Sequence, residues 1–84
     1  MHFTLYTKAG CHLCDGAKQF LSDERRRWAF IFETVDIDTD PILREKYGDC
    51  VPVLVLDGKV RFRGRINPVL FRRLIKGRRR GGTP

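Results

Sequence analysis

Long apolar runs are missing from this chain of 84 residues. No stretch approaches the ~20 residues that span a bilayer, and the opening MHFTLYTKAG has no basic start leading into an apolar segment. A membrane partner is therefore not expected, and a soluble, cytoplasmic protein is. Cysteine is also scarce. Three of them, Cys11, Cys14 and Cys50, are too few and odd in number for the disulfide framework of a small secreted domain. In a reducing compartment a close pair points instead to redox chemistry or metal binding. Acidic residues are scarce in one region only: residues 51–84 hold Asp57 alone against ten Lys or Arg. Residues 1–50 hold nine Asp or Glu against seven Lys or Arg, so the net charge of +7 is −2 in the first part and +9 in the second. A half so basic attracts nucleic acid, an acidic surface or an acidic protein through its long-range field, and charge alone does not choose among them.

With 42% hydrophobic residues a chain of this length buries one modest core. One domain is expected over residues 1–77, followed by a flexible basic tail over 78–84, since RRRGGTP offers nothing to bury. His2–Tyr6 is a short β-prone run that stops at Thr7-Lys8-Ala9-Gly10. From there Leu13, Ala17, Phe20 and Leu21 recur at steps of three and four, which predicts a helix over about 12–26. The aromatic and β-branched stretch from Trp28 centres on a second strand that ends in the turn-prone Asp36–Asp40. Pro41 opens a short helix over about 41–47, stopped by Gly48. Cys50–Leu56 reads as a buried strand, Asp57-Gly58 as a two-residue hairpin turn, and Lys59–Arg63 as the returning strand. Asn67-Pro68 caps and starts a last helix whose apolar face is Val69, Leu70, Phe71, Leu74 and Ile75. The order β-α-β-α-β-β-α gives an α/β fold with one four-stranded mixed sheet and helices on both faces.

The stretch TKAGCHLCDGAK puts Cys11 and Cys14 three apart at the junction of the first strand and its helix. The pair has three readings: a redox couple, half of a metal site, or two unrelated thiols. A zinc site would have to draw on Cys11, Cys14, Cys50 and either His2 or His12, with no second close pair. An iron–sulfur cluster would need ligands from outside the chain. For redox use the position is favourable. A thiol attacks only as its thiolate, and at a helix start unpaired N–H groups and the helix dipole point at the Cys11 sulfur, with Lys8 on the same loop. Cys14, one turn further in, is more shielded. Cys11 then attacks and Cys14 resolves.

Pro52 near the start of an apparent core strand is unusual, because proline cannot donate to a sheet ladder. With Cys11-His12-Leu13-Cys14 on a strand-to-helix turn, Val51-Pro52, the Asp57-Gly58 hairpin and the element order, residues 2–76 resemble the glutaredoxin branch of the thioredoxin fold. The resemblance implies a thiol–disulfide oxidoreductase acting on protein or small-molecule disulfides. It also implies that Pro52 is cis beside the cysteine loop and that the Val51 backbone pairs with a thiol substrate. Lys8 matches the family's basic residue before the active site. The chain departs from glutathione-using members by having Gly10 where an aromatic residue is common and His12-Leu13 where a proline is common. Arg63-Gly64-Arg65-Ile66-Asn67 stands where they carry two glycines and an acidic residue, so the thiol chemistry carries over better than glutathione recognition. The sequence is most similar to the compact glutaredoxin-like proteins of unassigned substrate.

The expected site is thus Cys11 and Cys14 as catalytic thiols, with Lys8, His12, Leu13, Val51, Pro52, Gly64 and Arg65 binding substrate. No metal and no tightly bound cofactor are expected. Glutathione or a reductase is the expected electron source, a disulfide-containing protein or glutathione the partner, and a monomer the functional state. Asp15 complements the helix start, and Cys50 reads as an inert apolar group rather than the source of an alternative disulfide. Arg72-Arg73, Lys76 and Arg78–Arg80 carry no nucleic-acid motif, so a solvated face is the default. A non-catalytic binding module using that basic half for nucleic acid or an acidic protein is the alternative.

Overall fold

Alternation in the first strand decides which side of the sheet is buried. The computed structural model describes residues 1–81, with side chains as far as residue 77. In β1 (His2–Thr7), Phe3, Leu5 and Thr7 are buried and the residues between them are not. The remaining elements are α1 (His12–Glu24), β2 (Ile31–Asp36), a 3-10 turn at Ile37–Thr39, α2 (Pro41–Tyr47), β3 (Val53–Leu56), β4 (Lys59–Arg63) and α3 (Pro68–Gly81). The strands lie in the order β2-β1-β3-β4. β1 and β2 run parallel through the α1 crossover, while β3 is antiparallel to both β1 and β4. Asp57 and Gly58 both take positive φ, 53° and 77°, as the two-residue turn between β3 and β4 requires.

Each helix sits where its apolar face finds the sheet. Ala17 and Leu21 of α1 and Phe71 and Ile75 of α3 join Phe3, Leu5, Phe30, Leu54 and Leu56 in the larger buried cluster. Phe71 is fully buried there, with the rings of Phe3, Phe20 and Phe30 within 5.2–5.7 Å of its own. On the opposite face Ile37, Tyr47 and Val53 form a smaller cluster under α2. A partly buried ion pair ties the two helices of the larger face together: the Arg72 Nε–H donates to Glu24 Oε1 at 2.8 Å and its Nη2 to Oε2 at 3.3 Å. Glu24 is 3% exposed, and its carboxyl is held below the usual carboxylate range chiefly by Arg72, against the opposing effect of burial.

The element order and topology follow the sequence reading; three boundaries move. α1 ends at Glu24, and Arg25–Arg27 turn away from the helix. β3 begins at Val53 rather than Cys50, because Pro52 has no N–H to join the ladder. α3 continues through Gly77 to Gly81, since the arginines that follow Gly77 are good helix formers. Of the basic tail expected over 78–84, the side chains of 78–81 and all of 82–84 lie outside the described residues.

Candidate active site

Two backbone demands place the first cysteine. β1 must turn sharply into α1, and Gly10 supplies the turn with φ 75°. The Cys11 N–H then donates to the Lys8 carbonyl at 3.3 Å, and the Asp15 N–H donates to the Cys11 carbonyl at 3.1 Å, which starts the helix. Cys11 is thereby the N-cap residue, with extended φ −92° and ψ 108°. Its sulfur does what a serine or aspartate oxygen does in other caps: Sγ accepts the Cys14 N–H at 3.1 Å. The sulfur thus sits over the first turn of α1 with a backbone donor aimed at it.

Cys14 lives in the opposite environment. It is 1% exposed, against a half-exposed Cys11, and both are free thiols. Burial pushes the Cys14 thiol up to about 11, helped by a side-chain hydrogen bond with Cys11. The Lys8 backbone works in the other direction, and the charges of Cys11 and Asp15 add smaller upward pushes. One thiol of the pair is therefore reachable and supplied with a donor; the other is enclosed and held protonated.

The Val51–Pro52 bond is cis, as the resemblance implies. Pro52 is buried and Val51 half-buried against the smaller cluster. Because Tyr6 pairs with Val53, the register carries Val51–Pro52 to the end of β1 that feeds the cysteine loop. Gly64, at φ 76°, holds this segment in place with its own N–H, which donates to both the Cys50 carbonyl at 3.0 Å and the Pro52 carbonyl at 2.8 Å. That N–H is thus committed within the protein, and Gly64 serves the site by fixing the Cys50–Pro52 backbone. Cys50 packs against the smaller cluster, half-buried.

The remaining expected residues divide between two cavities. His12, Leu13, Gly64 and Arg65 line a groove of about 220 Å³ between the first half of α1 and the loop from β4 to α3. Leu13 is 48% exposed, so it faces the groove rather than the core. Lys8 lies instead at a separate polar cleft of about 350 Å³, with Asp38, Arg44 and Glu45. Sequence reasoning missed Ala17, Phe20 and Ile66 as walls of the groove. The i, i+4, i+7 spacing of Leu13, Ala17 and Phe20 was a signal that these share a face; nothing local pointed to Ile66. Among the described residues no group of three or more His, Cys, Asp or Glu could hold a metal ion, and no helix is long and apolar enough to cross a membrane.

A family model described as a glutaredoxin-like domain (DUF836) matches residues 2–76. The chain belongs to that family. Its glutaredoxin-like architecture is shared with two solved structures. One, a protein of Nitrosomonas europaea, is 26% identical with a TM-score of 0.76, covering 88% of this chain and 89% of that one. The other, a protein of X. campestris seen by X-ray diffraction, is 34% identical with a TM-score of 0.70, covering 89% and 96%. Uncharacterised proteins of Mycobacterium bovis and Mycobacterium tuberculosis are each 35% identical over 60 residues, 66% of this chain. The matched segment spans 62% of the length of those mycobacterial relatives. The fold is accordingly a thioredoxin fold of the glutaredoxin-like kind, with Cys11 and Cys14 close together at the start of α1.

Proposed function

We propose that this glutaredoxin-like chain is a thiol–disulfide oxidoreductase in which Cys11 attacks and Cys14 resolves. The observation that carries the reading is the unlike placement of the two thiols, with the Cys14 N–H donated to Cys11 Sγ at 3.1 Å. In the forward step the Cys11 thiolate attacks one sulfur of a substrate disulfide. A Cys11–substrate disulfide forms, the substrate S–S bond breaks, and the departing sulfur leaves as a thiolate that takes a proton from water. Cys14 then loses its proton and attacks Cys11 Sγ, which closes a Cys11–Cys14 disulfide and releases the second substrate thiolate. Two electrons have moved from the dithiol to the substrate. A thiol reductant, glutathione or a reductase, restores the dithiol, and no tightly bound cofactor takes part.

The environment of Cys14 suits that order. Two of the influences that keep it protonated come from Cys11 itself, through a hydrogen bond and a charge, and both end once the Cys11 sulfur is part of a mixed disulfide. Burial and Asp15 remain. Cys14 therefore ionises more easily at the step that needs it than in the resting dithiol. Product release from the mixed disulfide should accelerate with rising pH, by up to about tenfold per pH unit while Cys14 is mostly protonated. Stopped-flow measurement of that step checks the sign.

The testing experiment is turnover of a small disulfide, such as hydroxyethyl disulfide with a thiol reductant, by wild type, Cys11→Ser and Cys14→Ser. Cys11→Ser should lose turnover altogether. Activity that survives the loss of Cys11 contradicts the reading.

A further inference from the structure

The two flanks of the cysteine loop differ in what they can hold. The polar cleft beside Lys8 mixes signs, and its Arg44 Nε lies 3.3 Å from Asp38 Oδ1, so its charges largely answer one another. The groove on the other flank has a mostly apolar floor: Leu13, Ala17 and Phe20 from α1 and Ile66 from the loop before α3. At about 220 Å³ it is smaller than the ~300–1,000 Å³ of ordinary small-molecule sites, which suits one side chain of a peptide rather than an entire ligand.

The β4 side of this groove is basic, while α1, its other wall, carries Asp15 and Asp23. Arg65 lines the groove, and the edge strand β4 that leads into it adds exposed Arg61 and Arg63, the latter paired with Val53 and so on the α2 face of the sheet. None of the three makes an ion pair among the described residues. From Lys59 to Lys76 the sequence contains no Asp or Glu at all. On the far side of the sheet β2 and the turn after it carry Glu33, Asp36, Asp38 and Asp40. An approaching acidic segment is therefore drawn to the β4 side of Cys11 and turned away from the β2 side.

Building on the thiol-exchange reading, we propose that the groove beside Cys11 selects protein disulfides whose cysteine is followed by an apolar side chain and then by acidic residues. The apolar group seats over Leu13, Phe20 and Ile66, and the carboxylates face Arg65, within the wider field of the basic β4 edge. The chemistry is the exchange already balanced above, with Cys11 attacking the groove-bound cysteine's sulfur and its former partner leaving as a thiolate. The groove decides which disulfide is brought to the thiol.

The test uses the Cys14→Ser chain, which stops at the mixed disulfide, and three probes. Two are peptides with one internal disulfide, followed in one by Leu-Glu-Glu and in the other by Gly-Lys-Lys; the third is oxidised glutathione. The acidic, apolar peptide should form the Cys11 adduct about tenfold faster than the basic one at low salt, and the gap should narrow near 1 M salt. Arg65→Glu should erase or invert the ratio of the two rates, whereas Arg65→Lys should keep it. The salt dependence needs no substitution in the groove, so it stands even if Arg65→Glu folds poorly. Equal rates for the two peptides, a ratio indifferent to Arg65→Glu, or oxidised glutathione reacting faster than both would overturn the proposal while leaving thiol exchange intact. Failure of wild type to react with any disulfide, hydroxyethyl disulfide included, would overturn both.

Discussion

Among the described residues, nine buried ones form the apolar cluster on the side of the sheet covered by α1 and α3, and three on the side covered by α2. The two parts of the candidate site come from these unlike halves. Cys11 and Cys14 stand on α1, anchored by Ala17 and Leu21 in the thick aromatic cluster, whereas Cys50 and Val51 pack against the thin one. On the proposed mechanism the attacking sulfur is thus held by the half with the larger buried cluster, and the backbone proposed to meet a substrate belongs to the half with the smaller one. Gly64 bridges them, since its N–H grips the Cys50–Pro52 segment from the end of β4.

The largest effect that could break this contrast is truncation of Phe71. Removing a fully buried ring packed among three others should cost about 3–5 kcal/mol in chemical denaturation. Val53→Ala, on the thin side, removes two buried methyl groups and should cost about 2 kcal/mol at ~0.8 kcal/mol per group plus a small cavity contribution. Equal costs would show that the two faces are not energetically distinct.

A smaller effect sharpens the picture of the thick side. Glu24 has its pKa lowered in the folded chain, so its contribution is fully present above the ordinary carboxylate value of 4.5 and is lost as pH falls through the folded value. Thermal unfolding should find Glu24→Gln less stable than wild type at pH 7, with the difference shrinking as pH is taken below about 4.5. A difference that grew on acidification would have the wrong sign. The smallest effect is expected on the thin side, where the Arg44–Asp38 pair is solvent-exposed: Arg44→Ala should change stability by no more than about 0.2–1 kcal/mol, less still at high salt.

The parts of this molecule that were legible in the sequence are those governed by neighbours in the chain. Gly10 before Cys11, the three-and-four spacing behind it and Asp57-Gly58 each state a local geometry, and together they yielded the strand and helix order. What stayed hidden depends on partners far away in sequence. Glu24 looks like any exposed acid of a charged helix end until α3 brings Arg72, 48 residues on, against it. Ile66 becomes a groove wall only because the loop before α3 lies across α1. Gly64 reads as part of a binding loop, yet its N–H is taken by Cys50 and Pro52, which no pattern in Arg63-Gly64-Arg65 announces. Lys8 is close to Cys11 in sequence, and it still lines a different cavity from His12 and Leu13.

On the proposed mechanism two thiols three residues apart have different jobs because one is a half-buried helix cap and the other is enclosed. Incubating the Cys14→Ser chain with a disulfide substrate and mapping the adduct by peptide mass spectrometry tests it most directly. The account predicts one stable mixed disulfide, on Cys11, with none formed by the Cys11→Ser chain through Cys14. An adduct on Cys14 or Cys50 at a comparable rate, or none at Cys11, would contradict it.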